Sequence, residues 1–347
     1  MSLTGHPGPP PPLGSAPQHP YGGYVLPPEG QKVPLRRFIR HPLEILALVF
    51  AIVGSLLLLL IASVEVAQAV NQQRTPDPYA LILVLAPIVV FFARGQLYAQ
   101  QRLRGVKLSP TQYPEAHQMV LEAAHRFGLS DPPDAYVVLG NGMINAAASG
   151  HGFRRYIFVY SDLFEVGGRA RNPEALRFII AHEVGHIAAG HTSYWRVLGT
   201  LGSQWIPFLG SALSRGQEYT ADNYGYLACP HGSSGAIATL AAGKYLNNSV
   251  DVNALADRAV SEKGFFVWLV NALASHPVLA WRAHALRDRS RAGHLLWRPR
   301  HELWDPSGPG VPYLPPSGMP VGHLPADRAA SPRGDSPAFP VPPERRR

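Results

Sequence analysis

Two apolar stretches interrupt an otherwise mixed pattern. From Ile45 to Val64 run twenty residues without a charge, rich in Leu, Ile, Val and Ala. At about 1.5 Å per residue, a helix of that length crosses the roughly 30 Å of a bilayer core. The pattern therefore predicts a transmembrane helix over 45–64. A buried core helix is rarely that long, and the run starts too far from Met1, with no convincing small-residue cleavage site, for a secretory leader. Tyr79 to Ala93 is a second run, shorter and carrying Pro87. Continued to Tyr98 with Arg94 snorkelling, it predicts a tilted second span over 79–98, a re-entrant hairpin being the alternative.

From Ser109 the texture becomes that of a globular domain. Ala116, Met119, Val120, Ala123 and Ala124 recur at helical spacing and predict a helix over 113–127, ended by Gly128. Residues 134–139 and 155–160 alternate as strands, with Gly140-Asn141-Gly142 as a turn between them. Asn172-Pro173-Glu174 opens a further helix, running from Ala175 to about Gly190, because proline suits a first turn. Val197–Leu213, broken by Gln204 and Pro207, and Gly264–Leu273 predict helices too short to cross a bilayer, packed in the core or against lipid. The expected fold class is α+β, mainly α, with two N-terminal transmembrane helices ahead of a domain with a small sheet.

Composition divides the chain further. About two-thirds of its 35 prolines lie in residues 1–35 and 296–347, which hold few large aliphatics. Such segments bury too little apolar surface to offset their ordering entropy, so both are expected as disordered tails. That leaves 36–108 as a two-helix membrane region and 109–295 as a folded domain. The single cysteine, Cys229, rules out an internal disulfide, suits a reducing compartment and reads as a small buried hydrophobe. The net charge of +8 lies largely beside the apolar runs and in Arg345-Arg346-Arg347, without interleaved aromatics. This favours a lipid surface and argues against nucleic acid as partner. Lys32, Arg36, Arg37 and Arg40 precede the first span, and Arg94, Arg102, Arg104 and Lys107 follow the second, whereas the loop at 71–78 holds one base and one acid. By the positive-inside rule both ends, and the domain after them, face the cytoplasm of a multi-pass cell-membrane protein.

The chemistry sits in His182-Glu183-Val184-Gly185-His186. Residues four apart share a helix face, so His182 and His186 can ligate one Zn²⁺ while Glu183 takes a proton from the attacking water. A catalytic zinc needs a third protein ligand. Glu218 is the candidate, with Asp222 one turn later placed to accept the free ring N–H of a liganding histidine. His191 is a rival ligand, and otherwise faces solvent or caps the helix. A solvated face is the ordinary explanation of a Glu-x-x-x-Asp pair, but the first motif and the flanking apolar residues weigh against it here.

These motifs, with Ser214-Arg215 and Ala221 between and around them, resemble the HtpX-type and CAAX-prenyl-protease family of membrane zinc endopeptidases. Asn145-Ala146-Ala147-Ala148 resembles that family's edge strand, and Ser275-His276-Pro277 with Arg282 its late His-Pro segment. The resemblance covers roughly residues 36–290. It implies a zincin-like domain with one Zn²⁺, protein or peptide substrates, Asn145 holding substrate extended, and His276 at the oxyanion or the site wall. Two departures stand out: Ala147 replaces a frequent aromatic, and only about thirty residues separate His186 from Glu218, where HtpX-type members place two membrane helices. The resemblance implies an endopeptidase in membrane-protein or misfolded-protein quality control. The alternatives are processing of a specific, for example lipidated, peptide, and a catalytically silent membrane scaffold acting through the proline-rich tails.

Overall fold

Two long helices lead the fold. Glu44–Asn71 (α1) and Pro78–Arg104 (α2) are 28 and 27 residues, each long and apolar enough to cross a membrane. In this computed structural model residues 39–164, 171–289 and 291–300 are described; the tail expected over 1–35 and, past residue 300, the one expected over 296–347 lie outside them. Asp77 starts α2 by accepting hydrogen bonds from the Tyr79 and Ala80 amides at 2.9 and 3.0 Å, and Pro78 supplies the preset first turn. Leu46, Phe50, Leu57, Leu60, Ile61 and Phe92 are all more than half exposed. Such contiguous exposed apolar surface is what a lipid-facing helix presents. Both helices outrun the apolar windows, because backbone hydrogen bonding carries a helix on into polar residues where its hydropathy signal stops.

Arg94 departs from expectation. It does not snorkel to solvent. It is buried, donating to the carbonyls of Gly150 at 2.5 Å and Thr192 at 2.6 Å, with its guanidinium 4.6 Å from the Tyr194 ring centre.

The domain that follows is mainly helical with a small mixed sheet. Its four strands are β1 (Val106–Lys107), β2 (Asp134–Val138), β3 (Ala146–His151) and β4 (Arg154–Tyr160), in the order β1-β2-β4-β3. β2 and β4 run parallel, while β3 pairs antiparallel with β4, Ala146 opposite Val159 and His151 opposite Arg154. Gly140-Asn141-Gly142 thus leads into an edge strand rather than joining β2 directly to β4. Against the sheet pack α3 (Pro114–Arg126) and α4 (Pro173–Ala188), whose start is fixed by Asn172 accepting from the Ala175 amide at 3.0 Å. Met119, Val120, Ile157, Val159, Phe178, Ile180 and Val184 form the core between them.

The stretch expected as one broken helix over 197–213 is three pieces: α5 (Tyr194–Gly199), a 3₁₀ turn over Leu201–Trp205, and the start of α6 (Leu209–Ala228). Phe208 sits at φ 64°, the left-handed kink that separates the last two. The 3₁₀ turn lies against the middle of α1, where the Ser203 amide donates to Ser55 Oγ at 2.9 Å. The chain then completes α7 (Gly232–Leu246), α8 (Val252–Ser261), α9 (Phe265–Leu273) and α10 (Leu279–Arg287). α9 leaves Phe265, Phe266, Val270 and Leu273 exposed. Packing continues past the 295 boundary: Trp297 stacks on Trp268 at 5.7 Å, and Arg298 donates to the Val260 carbonyl at 2.6 Å.

Candidate metal centre

α4 and α6 meet face to face, and their closeness builds the site. A Cβ added at Gly185 would stand 2.5 Å from Tyr224 Cβ, so only glycine admits this approach. The contact draws Glu218 of α6 to the two histidines of α4. His182 Nε2 and His186 Nε2 are 3.2 Å apart, and the Glu218 carboxylate oxygens lie 3.5 Å from the first and 3.4 Å from the second. A tetrahedral zinc with bonds of about 2.0–2.2 Å sets its ligands roughly 3.3–3.6 Å apart. The three side chains therefore fit one ion, all offering ligand atoms within 4.8 Å of one another.

The far side of each imidazole is held by protein. His182 Nδ1 is 2.9 Å from Asp222 Oδ1, and Asp222 also accepts from Arg282 Nε at 2.9 Å and Nη2 at 2.5 Å. His186 Nδ1 faces His191 Nδ1 at 2.8 Å, and His191 Nε2 faces Glu44 Oε1 at 3.2 Å. Burial lowers the His191 pKa to about 4, so that ring is neutral at physiological pH. With its one N–H donated to Glu44, its Nδ1 accepts the Nδ1–H of His186. Each histidine of α4 thereby keeps its Nδ1 proton on a protein partner, so that the neutral ring a metal binds offers its Nε2 to the same point.

The charge balance of the metal-free centre is that of a cation site. Burial alone would lower the His182 pKa, but its hydrogen bonds to Asp222 and Glu218 prevail and raise it to about 10. Burial pushes the Glu218 carboxyl up, and the two imidazoles overcome this and hold it well below the usual range. Asp222 is likewise held down against burial, chiefly by the Arg282 charge. Glu183 is the exception: burial dominates and raises its carboxyl, with only partial opposition from His182 and His186.

His182, Glu183, His186 and Glu218 line a cleft of about 280 Å³ together with Asn145, the edge-strand residues Ala146, Ala147 and Ala148, Phe178, Leu240 and His276. Asn145 spends its side-chain oxygen on the Ala146 amide at 2.9 Å, and its carbonyl accepts from the Tyr160 amide at 3.0 Å. His276 is exposed on the loop between α9 and α10, with Nε2 3.3 Å from Glu218 Oε1 and Nδ1 3.0 Å from Ser275 Oγ. His191, expected in solvent or at a helix cap when not a ligand, is instead buried behind His186. Cys229 is buried outside the cleft, its thiol donating to Glu174 Oε2 at 2.7 Å.

Glu44 is the residue that sequence reasoning missed. Fully buried at the first turn of α1, it accepts from Arg40, Arg196 and Thr220 besides facing His191. An acid set directly before a long apolar run is the one signal that could have drawn notice to it.

No curated protein matches the chain. Residues 110–206 and 196–290 match Peptidase family M48, together just over half of the chain. The two matched segments overlap at 196–206, the α5 and 3₁₀ stretch between the paired motifs.

Proposed function

The chain belongs to peptidase family M48 and is therefore a metallopeptidase, and on that premise we propose that it is a zinc endopeptidase held in the cell membrane by α1 and α2. His182, His186 and Glu218 would hold the ion. When bound, zinc supplies Lewis acidity that brings water's pKa near neutrality and polarises a peptide carbonyl. Glu183 is the general base: it takes the proton of the attacking water and passes it to the leaving amine. Its burial beside the ligands suits it to that transfer, since a carboxyl raised above its ordinary value is a stronger base toward the attacking water and keeps the proton until the leaving amine takes it. Asp222 and His191 orient the ligands. Asn145 and the edge of β3 align an extended substrate, and His276 stands at the wall where an oxyanion would form.

The observation that carries this reading is the convergence of His182 Nε2, His186 Nε2 and the Glu218 carboxylate, with Glu183 in the same cleft. Among the described residues only two helices are long and apolar enough to cross a membrane. So few do not wall off an intramembrane chamber, which favours proteolytic quality control of membrane or misfolded proteins over processing of a lipidated peptide. The catalytic domain faces the cytoplasm in this scheme.

The test is Glu183→Gln in purified full-length protein. Zinc content should stay at one per chain while casein cleavage drops by about 10²–10⁴-fold, the usual worth of a general base. Unchanged cleavage with no bound zinc would overturn the protease assignment and leave the scaffold alternative.

A further inference from the structure

β3 is the edge strand of the sheet, and its two ends lie in different surroundings. At one end, Asn145 to Ala148 line the cleft with His182, Glu183 and His186. At the other end, the strand is pinned to α2. The Gly150 carbonyl accepts from Arg94 at 2.5 Å, and the His151 ring sits 5.1 Å from the ring of Phe91. A Cβ at Gly95 would stand 3.0 Å from His151 Cε1, and His151 Nδ1 is 2.9 Å from Tyr194 Oη.

That junction coincides with the border of the apolar run in α2. Phe91 and Phe92 are exposed, Ala93 ends the uncharged stretch, and Arg94 is the first charge. Just past the strand, at the tip of the β3–β4 turn, Phe153 is fully exposed at 104 % and is followed by Arg154 and Arg155. An aromatic ring beside guanidinium groups is the composition that settles at a membrane–water interface. The edge strand thus runs from the cleft of the metal centre to the end of the apolar run of α2.

We propose that the protease cuts extended segments of other membrane proteins close to where they leave the bilayer, with β3 setting the distance. The proposal rests on the function argued above, and adds where along the substrate the cut falls. A peptide that adds to a sheet edge is extended, at about 3.3 Å per residue. The five steps from Ala146 to His151 then span about 17 Å, so roughly five residues separate the cut bond from the membrane border. A segment already anchored in the bilayer reaches the membrane end of β3 without further ordering. A free polypeptide has to direct its chain into the headgroups to fill the same groove.

The experiment uses the zinc-loaded, full-length protein in phosphatidylethanolamine–phosphatidylglycerol vesicles. Single-span substrates carry an unstructured polar tail, with inserts of increasing length placed between the span and a fixed sequence. Cut sites are read by mass spectrometry, beside the same tail without its span and beside casein. The expected result is a cut about four to eight residues from the end of the span whatever sequence lies there, and at least about tenfold faster cleavage of the anchored tail. A cut that travels with the fixed sequence overturns the proposal. So does equal cleavage of the detached tail, or casein cleavage with the anchored tails left intact. If casein also resists, the peptidase assignment of the site falls with it.

Discussion

His182 stands between Asp222 on one ring nitrogen and Glu218 beside the other, and this arrangement supports two expectations. Asp222→Asn keeps the shape but removes the charge that fixes the tautomer and balances buried Arg282. Zinc affinity, measured by competition with a chromophoric chelator, should fall about 10–100-fold. The second concerns protons. In the metal-free centre His182 is protonated up to about pH 10, and only the neutral ring can bind metal. Zinc binding must therefore release that proton, and affinity should rise by about one decade per pH unit between pH 6 and 9. Calorimetry in buffers of different ionisation enthalpy reads the released proton directly; affinity flat across that window would refute the coupling. Most of these residues were legible from the spacing of Glu183, His186, Glu218 and Asp222. Glu44 and the burial of His191 were not, because they lie 147 residues apart and only folding makes them neighbours.

The two helices that carry the site depend on one missing side chain. Gly185→Ala would force Cβ against Tyr224 and push α6 away from α4. Overpacking of this kind costs about 1–3 kcal/mol, so the midpoint of thermal unfolding should fall. Zinc affinity should fall as well, since Glu218 retreats with α6; a variant that unfolds earlier yet binds zinc normally would show that the approach serves packing alone. At the level of elements, periodicity located α1 to α4 well, because each has an apolar face or a clear starting signal. β3 was visible only through resemblance, since Ala-Ala-Ala-Ser-Gly-His has little intrinsic strand preference and owes its conformation to pairing with β4. The division of 197–213 depends on Phe208 adopting a positive φ and on a 3₁₀ turn that packs on Ser55, neither of which has a periodic signature.

For the whole molecule, the proposed topology places the 72–77 loop opposite the catalytic domain. Alkaline phosphatase inserted beside Arg74 should be active and a fluorescent reporter there dark, with the reverse outcome for fusions after Arg300; the opposite pattern would invert the orientation. The sequence by itself determined the apolar helices, the paired motifs, the metal chemistry they allow and membership of the family, because hydropathy and i, i+4 spacing are local properties of a chain. Only the tertiary structure decided how close α4 and α6 come, which carboxylate and which histidine stand behind each ligand, and that the edge strand ends against α2. Those are distances between residues far apart in the chain, set by how side chains interlock once apolar surfaces are buried, and no local pattern encodes them.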